Sequence, residues 1–227
     1  MSANTVLLNK GQRPQNRKLA ARLINLKTLL LAKRLLGMRI TTKAGGKMTS
    51  GIIVETEAYD ARVDQACHGY YGKTRRNFMM FESAGHWYVY KIYGIHHCVN
   101  LVSEPAGIAA AVLIRAIEPV AGIETMLKRR GIKIGRKRKV NQENSEEKNK
   151  RISPPFNLTN GPGKLCQALG IDKTLSGEHT LTSDKIWLEK GIKFKLSQIA
   201  TSTRIGITKA VDLKWRFFIK NNPWVSK

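Results

Sequence analysis

At 227 residues the chain is long enough for one domain with a substantial core, or for two small ones, and its hydrophobic content of 42% argues against global disorder. Its 40 Lys and Arg against 16 Asp and Glu give a net charge of +24. Such an excess indicates a protein that binds a polyanion, most commonly nucleic acid, rather than one whose charge only keeps it soluble.

The cysteines, the N-terminal residues and the most apolar stretch indicate the cellular compartment of the protein. Three cysteines at irregular spacing do not form a disulfide framework and suit a reducing environment. The N-terminal residues lack the basic-then-apolar order of a secretory signal. Residues 19–36 are apolar but interrupted by four Lys or Arg, so we expect a core helix there rather than a membrane span of about 20 uncharged residues. We therefore expect a protein without a membrane partner, cytoplasmic at a bacterial nucleoid or nuclear in a eukaryote.

The N-terminal part of the chain divides into an arm, a helical stretch and a hairpin. Residues 1–16 are polar and basic and are predicted to form an arm, with residues 17–227 forming a single domain. Residues 17–36 carry leucines near helical spacing, as one helix or as two broken near Asn25. Strands at 38–43 and 50–59, joined by two glycines, predict a β-hairpin.

The middle of the chain predicts a loop followed by adjacent strands. Residues 60–84 show little periodicity and are interpreted as a long functional loop. Three strands are predicted at 86–93, 97–103 and 108–116, and their short connections favour an antiparallel sheet over repeated βαβ units. A helix is predicted at 119–130.

Residues 127–151 differ in composition from the rest of the chain. They hold eleven Lys and Arg against three Glu, a local charge of +8, and almost no apolar side chains after Val140. This predicts a basic, mobile insertion. Subtracting +8 from +24 leaves +16, so the remaining domain is itself strongly basic.

The C-terminal third predicts a short helix and further strands. The segment 161–164 leads into an apolar helix that Gly170 ends. Strands are predicted at 181–188, 194–199 and 215–219. The loop before the helix lacks two residues of a nucleotide-binding phosphate loop, but its backbone N–H groups and Lys164 could hold a single phosphate.

Residues 52–100 hold the strongest functional signals, because all six tyrosines and four of the five histidines lie there. On a strand, Glu55, Glu57 and Tyr59 would share one face. Two carboxylates at this spacing suit acid–base chemistry, but one could equally pair with an arginine in a structural role, and the spacing alone does not choose.

A metal site is not predicted. Cys67-His68 and His96-His97-Cys98 are the residues to consider, but adjacent strand residues point to opposite faces and give no tetrahedral set. The zinc deaminase pattern is also absent. We expect neither a metal nor another cofactor.

Eight short motifs occur in a fixed order from about residue 32 onward. They are VETEAY (54–59), ACH (66–68), TRRN (74–77), YVYKIYG (88–94), CVN (98–100), LIRAIEP (113–119), NGPGKLCQAL (160–169) and NPWVS (222–226). In this order they resemble the alkyladenine (3-methyladenine) DNA glycosylase family of the mammalian type, also called methylpurine-DNA glycosylases. The resemblance implies an α+β fold class, with a single mixed domain built on a curved antiparallel sheet, flanking helices and a protruding β-hairpin.

The resemblance also implies the chemistry and the roles of catalytic residues. Glu57 matches the general base, which decides between the two carboxylates. Arg115 and a main-chain carbonyl near Ile205 match the groups that help Glu57 to hold the attacking water. The implied reaction is hydrolysis of the N-glycosidic bond of alkylated or deaminated purines, namely 3-methyladenine, 7-methylguanine, hypoxanthine and ethenoadenine, by a metal-free monomer.

Binding residues are carried over in the same way. Tyr59, His68 and Tyr90 match the residues that sandwich the flipped base. Asn100 matches the residue that excludes the exocyclic amine of guanine, and Tyr93 matches the wedge that enters the minor groove. Three of the cations in the motifs, Arg75, Arg76 and Lys164, are expected to contact duplex DNA that carries a damaged purine.

The sequence departs from the family pattern at two places. The insertion at 127–151 has no clear counterpart, and His96-His97 stands at the rim where other members carry aromatic residues. Two other classes compete with a glycosylase. An RNA- or ribosome-binding protein would explain the charge and the tyrosines but not Glu57, and a nuclease would need a carboxylate cluster for metals.

Overall fold

A curled antiparallel sheet forms the centre of the molecule, and the computed structural model describes residues 12–133 and 154–226. Eight strands are found in this part of the chain: β1 (Arg39–Ala44), β2 (Lys47–Asp60), β3 (Trp87–Ile92), β4 (His96–Val102), β5 (Ala110–Ala121), β6 (Ile186–Glu189), β7 (Ile199–Ser202) and β8 (Arg216–Ile219). The helices are α1 (Gln12–Ile24), α2 (Thr28–Leu35), α3 (Ile123–Arg129) and α4 (Pro162–Leu169). Single 3₁₀ turns lie at Phe78–Phe81, Phe156–Leu158, Lys173–Leu175 and Leu196–Gln198.

Strand β2 organises the sheet because it pairs with three others. The main path runs β3-β4-β5-β2-β1-β6, and β8 joins β2 to β7. The register between β2 and β5 shifts on either side of Glu55, and such bulges bend a strand and increase its twist. This bend lets β2 leave β1 after Ile52 and pair with β8 from Glu55 to Glu57. The predicted α+β class with a curved sheet and flanking helices is confirmed.

Helices α2, α3 and α4 pack against the sheet. In α2 the buried residues Thr28, Leu31, Ala32 and Leu35 recur at the spacing of one helix face. This face packs with sheet residues such as Ile53 and Ile114 and with α4 in one continuous hydrophobic cluster. The site-bearing half of β2 is therefore held between a packed core on one side and a second, smaller cluster around Met80 and Tyr88 on the other.

Several element predictions are confirmed and others need correction. The helical stretch is two helices separated near Asn25, the first hairpin is β1–β2, and β3 to β5 lie close to their predicted positions. The predicted helix at 119–130 begins only at Ile123, because Pro119 to Ala121 continue β5. The predicted strand at 194–199 is wrong: a 3₁₀ turn occupies Leu196–Gln198, and β7 starts at Ile199.

The limits of the arm and of the insertion also shift. Residues 12–16 belong to α1, and residues 1–11 lie outside the described residues. At the other segment, Leu127 is buried and the Arg129 guanidinium donates to the backbone oxygens of Ala44 and Ala168, so the start of the predicted insertion is part of the fold. Residues 134–151 of that prediction lie outside the described residues. None of the described helices has both the length and the apolar character of a transmembrane helix.

Candidate active site

A cavity of about 480 Å³ opens between β2, the β3–β4 hairpin and the segment 205–209. Its size falls in the range of small-molecule sites. The residues that line it are Tyr59, Gln65, Ala66, His68, Met80, Tyr88, Tyr90, Ile92, Tyr93, His96, Cys98, Asn100, Leu113, Arg115, Pro162, Gly163, Ile205, Gly206, Ile207, Thr208 and Lys209. Six of the ten predicted site residues line this cavity directly. A seventh, Glu57, accepts hydrogen bonds from residues that line it.

Glu57 lies at the back of this cavity with a fully buried carboxylate. The Tyr59 hydroxyl donates to Oε2 at 2.8 Å, and the backbone N–H of Ile205 donates to Oε1 at 2.8 Å. Arg115 approaches the same Oε1 with Nη1 at 3.3 Å. All three partners line the cavity. The carboxylate therefore lies directly behind the cavity wall, and these partners stabilise its negative charge.

Glu55 is equally buried but has a different environment. Its Oε1 accepts from Arg115 Nε at 3.0 Å, from Arg216 Nε at 2.7 Å and from the Ser226 hydroxyl at 2.8 Å. Its Oε2 accepts from the Ser226 backbone N–H at 2.7 Å. Glu55 therefore ties the C-terminal segment to the sheet, and of its partners only Arg115 lines the cavity.

Arg115 on β5 connects the two carboxylates. Burial acts to lower the pKa of its guanidinium, but the charges of Glu57 and Glu55 outweigh that effect, and the pKa is raised. Its Nη2 also donates to the Ser226 hydroxyl at 3.3 Å. The guanidinium is therefore fixed in one orientation with its Nη1 toward Glu57.

Tyr59 is a hydrogen-bond donor whose proton is firmly held. Burial and the neighbouring negative charge of Glu57 raise the pKa of the phenol well above its usual range. One ring contact comes from the Arg204 guanidinium, whose central carbon lies 4.6 Å from the ring centroid. The rest of the ring borders the cavity.

His68 and Tyr90 form one wall together. Their ring centroids are 4.6 Å apart at an interplanar angle of 70°, so the two rings touch edge to face. Tyr88 supports this wall: its hydroxyl and His68 Nδ1 are 3.1 Å apart, and its ring stacks near Tyr90 at 5.3 Å. The His68 side chain is exposed to the cavity but partly surrounded by protein atoms. This partial burial and the charge of Arg76 lower the pKa of the imidazole, which favours its neutral form.

Asn100 is buried in β4 at the floor of the cavity. Its Nδ2 donates to the backbone oxygen of Tyr88 at 3.1 Å, which fixes the orientation of the amide. The neighbouring strand places Leu113 directly opposite. The floor is therefore rigid and close-packed.

Tyr93 stands at the tip of the β3–β4 hairpin. Its side chain is 82% exposed, and its backbone has φ of 52°, followed by Gly94 at 70°. A bulky residue with positive φ is uncommon, because asparagine or glycine suits such a turn better. The hairpin therefore accepts backbone strain to present an exposed aromatic ring.

The three predicted DNA-contacting cations lie around the cavity rather than in its lining. Arg75 and Arg76 are exposed on the loop beside the hairpin, and Arg76 donates to the backbone oxygen of Lys91 at 3.3 Å. Lys164, near the start of α4, donates to Asn160 Oδ1 at 2.9 Å. At the rim, His96 is exposed and lies close to Gly163, where an added Cβ would meet it at 3.0 Å.

Three features of the site were not predicted from sequence. Tyr88 lies within the tyrosine motif but was not separated from it as the partner of His68. At Ile205 the backbone N–H donates to Glu57, a contact that was not predicted beside the main-chain carbonyl expected there to help hold the water. The pair of Arg204 and Asp64 spans 140 residues, and no local pattern signals it.

Among residues 12–133 and 154–226 no group of three His, Cys, Asp or Glu side chains could hold a metal ion.

Comparison with known proteins identifies the class. The family model described as methylpurine-DNA glycosylase (MPG) matches residues 22–223. A protein of Chlorobaculum tepidum is 43% identical over 212 residues, covering 93% of this chain and 91% of its own length. A protein of Clostridium perfringens is 44% identical, covering 89% of this chain and 96% of its own length. A third, from Carboxydothermus hydrogenoformans, is 44% identical over 88% of this chain and 93% of its own length.

The names of these three relatives contain the words 3-methyladenine DNA glycosylase. The matched region contains the whole cavity and both buried carboxylates, and it fixes the class as a DNA glycosylase, a hydrolase of N-glycosyl bonds that acts in base excision repair. The chain belongs to the methylpurine-DNA glycosylase family. The resemblance drawn from the ordered motifs is thereby confirmed.

Proposed function

We propose that the protein removes 3-methyladenine, 7-methylguanine, hypoxanthine and ethenoadenine from duplex DNA after the damaged nucleotide has rotated out of the helix. A base inside a duplex is out of reach of a buried carboxylate, so extrusion must precede hydrolysis. The observation that carries the proposal is the buried Glu57, whose three hydrogen-bond or ion-pair partners all line one cavity walled by aromatic rings.

Glu57 serves as the general base in this scheme. As the N-glycosidic bond breaks, the sugar acquires oxocarbenium character, and a carboxylate both stabilises it and accepts a proton from the attacking water. The support is a carboxylate whose negative charge is balanced by Arg115 and by two neutral donors. The departing base leaves with the bonding electrons: a cationic alkylated purine leaves as a neutral molecule, and a neutral purine such as hypoxanthine leaves as an anion that takes up a proton from solvent. The attacking water gives its proton to Glu57 and supplies the hydroxyl group of the sugar product.

The damaged base would lie between two walls. His68 and Tyr90 touch each other and leave no room for a base between them, so they supply one face. Tyr59 supplies the other, with its hydroxyl directed to Glu57. Stacking on aromatic rings contributes about 1–3 kcal/mol per base, enough to offset an unstacking cost of a few kcal/mol.

Asn100 would select against guanine. Its amide is fixed by Tyr88 at the cavity floor, so a base with an exocyclic amine at that place must either displace a buried hydrogen bond or leave its own amine unpaired. Hypoxanthine lacks this amine. An alkylated purine such as 7-methylguanine carries a positive charge and is a better leaving group, and a neutral His68 would not repel it.

The duplex would be held around the cavity mouth. Tyr93 would enter the minor groove and fill the vacated position, while Arg75, Arg76 and Lys164 would contact phosphates. The net charge of +24 supports binding without reading sequence. We further propose that the protein acts as a monomer, without a metal, in the compartment that holds chromosomal DNA.

Release of free base is the direct test. Duplexes carrying each of the four lesions, and an undamaged guanine duplex as a control, would be incubated with excess enzyme, and the free base would be measured by chromatography. The expected result is release of the damaged bases, no release of guanine, and an abasic strand that remains intact until treated with alkali. Release of none of the four bases, or cleavage of the untreated strand, would contradict the proposal.

The Asn100→Ala variant extends this test to specificity. It should release guanine or 7-methylguanine relatively faster than wild type while its rate on hypoxanthine changes less. An unchanged ratio of guanine to hypoxanthine release would refute the assigned role of Asn100.

A further inference from the structure

The pair of Arg204 and Asp64 is a completely buried ion pair beside the cavity. Neither side chain is accessible to solvent. Nη2 of Arg204 donates to Asp64 Oδ1 at 2.8 Å, and Nη1 donates to Asp64 Oδ2. Replacing such a pair by apolar residues is often neutral or stabilising, so stability alone gives little reason for it.

Arg204 also connects two separate pieces of backbone. Its Nη1 donates to the carbonyl oxygen of Ala58 at 3.0 Å, in the middle of the motif that carries Glu57 and Tyr59. Its Nη2 donates to the carbonyl oxygen of Ala210 at 3.3 Å, directly after the cavity-lining segment 205–209. The Arg204 guanidinium therefore anchors both strand β2, which carries Glu57, and the end of the cavity-lining segment 205–209.

The same guanidinium packs on aromatic rings. It lies 4.6 Å from the ring centroid of Tyr59 and 5.5 Å from that of Trp215. Tyr59 lines the cavity and Arg204 does not, so the arginine contacts the ring from the protein side. This contact fixes the ring plane against which a flipped base would stack.

Arg204 thereby controls two of the three partners of Glu57. Ile205, the next residue, donates its backbone N–H to Glu57, and Tyr59, held by the cation–π contact, donates its hydroxyl to the same carboxylate. Both distances are 2.8 Å. A shift of Arg204 would move both donors together, while Arg115 is held independently by Glu55.

We propose that Arg204, locked by Asp64, is a positioning residue for excision: it sets the orientation of Glu57 and of the Tyr59 ring without touching the damaged base. This inference rests on the proposed role of Glu57 as the base. A displacement of about 1 Å in a reacting constellation can lower a rate by about 10²-fold, so a positioning role predicts a large kinetic effect from a residue outside the cavity.

Two variants test the proposal. Arg204→Met keeps the length of the side chain and removes every donor. Since it leaves a buried carboxylate unpaired and could unfold the protein, the double variant Arg204→Met with Asp64→Asn removes both charges and serves as the foldable version. Arg204→Lys is the conservative variant, since an ammonium keeps the charge but not the planar fork that reaches Asp64 and both carbonyls.

The matched control is Arg39→Met. Arg39 pairs with the buried Glu189 on the β1–β6 side of the sheet, Nε to Oε2 at 2.6 Å, and neither residue lines the cavity. The Arg39→Met variant therefore shows how the loss of an arginine–carboxylate pair outside the cavity changes the stability of the protein. All variants are assayed well below their unfolding temperatures.

The readouts are the single-turnover rate of ethenoadenine release, the affinity for the same duplex, and the fluorescence of ethenoadenine, which stacking on an aromatic ring quenches. The expected result is a rate lowered by about 10²-fold in both Arg204→Met forms, partial recovery in Arg204→Lys, and weaker quenching, with duplex affinity within about threefold of wild type. Arg39→Met should keep the wild-type rate and quenching.

Three results would overturn the positioning role: a wild-type rate in folded Arg204→Met protein, an equal loss of rate in Arg39→Met, or a loss of rate explained wholly by loss of duplex affinity. The failure of the proposed function itself would look different. In that case the wild-type protein would release none of the four damaged bases, or Glu57→Gln would be as active as wild type.

Discussion

The Tyr59 hydroxyl donates a 2.8 Å hydrogen bond to Oε2 of Glu57, two residues earlier on the same strand. Alternation of side chains along β2 places both on one face, so the contact follows directly from their spacing. The carboxylate raises the pKa of the phenol further than burial alone would, which keeps the phenol protonated. The same tyrosine therefore lines the cavity with its ring and is a permanent hydrogen-bond donor to Glu57.

Replacing Tyr59 by Phe should separate these two roles. The ring that is proposed to stack on the damaged base is retained, and one hydrogen bond to the charged Glu57 is lost. Such bonds contribute about 1.5–3 kcal/mol, so the single-turnover rate should fall by roughly 10- to 100-fold while ethenoadenine quenching persists. Tyr59→Leu, which also lacks the ring, is the control and should lose quenching as well. A wild-type rate in Tyr59→Phe would show that the bond to Glu57 does not matter for excision.

The raised pKa of Tyr59 also predicts a pH dependence. An ordinary phenol ionises near pH 10, and loss of its proton would turn the donor into a second negative charge beside Glu57. Since the pKa is raised, excision should not decline through ionisation of this group between about pH 8 and 10. A descending limb in this interval that disappears in Tyr59→Phe would contradict the assignment.

Tyr93→Ser should weaken both base flipping and lesion affinity. The side chain is 82% exposed, so its removal costs no core packing and the unfolding temperature should hardly change. Tyr93→Phe keeps the ring and should remain close to wild type. A fluorescent base analogue opposite the lesion reports flipping directly. If Tyr93→Ser flips and excises as well as wild type, the wedge role is wrong.

Removal of residues 134–151 should change the salt dependence of DNA binding. The segment has seven Lys and Arg and three Glu, and excludes Arg129, which donates hydrogen bonds to Ala44 and Ala168. Each neutralised phosphate contributes about 0.9 to the slope of log affinity against log salt on duplex DNA. Joining residue 133 to residue 152 through a short glycine linker should therefore flatten the slope and weaken binding at low salt. An unchanged slope would show that the segment does not contact DNA.

Chelation of metals should leave activity unchanged, because the proposed reaction is carried by Glu57, Arg115 and a water. The described residues contain no cluster of three metal-binding side chains. Excision would be measured after dialysis against EDTA and again after addition of zinc or magnesium. A loss of activity on dialysis that either metal restores would contradict the metal-free mechanism.

Local patterns predicted most of the elements that carry the site. Alternation identified β2, and its spacing placed Glu55, Glu57 and Tyr59 together. Short turns identified the β3–β4 hairpin with Tyr93 at its tip. The distinction between the two carboxylates could not follow from spacing, because it depends on Arg216 and Ser226, which reach Glu55 from more than 160 residues away.

The remaining differences have the same physical origin. Residues 194–199 look apolar enough for a strand, but tertiary pairing with β8 begins only at Ile199. The positive residues at 128–130 look like part of a solvated arm, whereas Arg129 satisfies backbone carbonyls of two neighbouring elements. Long-range pairing decides these positions, and a single sequence does not display it.

Single-turnover release of the damaged base by Glu57→Gln, beside Glu55→Gln, tests the central claim most directly. Loss of a general base costs about 10²–10⁴ in rate, so Glu57→Gln should fall by that factor and still bind lesion duplex. Glu55→Gln disturbs a buried carboxylate with four donors and should lower the free energy of unfolding by about 3 kcal/mol. Assayed where it is folded, it should retain far more activity than Glu57→Gln. Near-normal release by Glu57→Gln, with loss of release in folded Glu55→Gln, would contradict the assignment of Glu57 as the base.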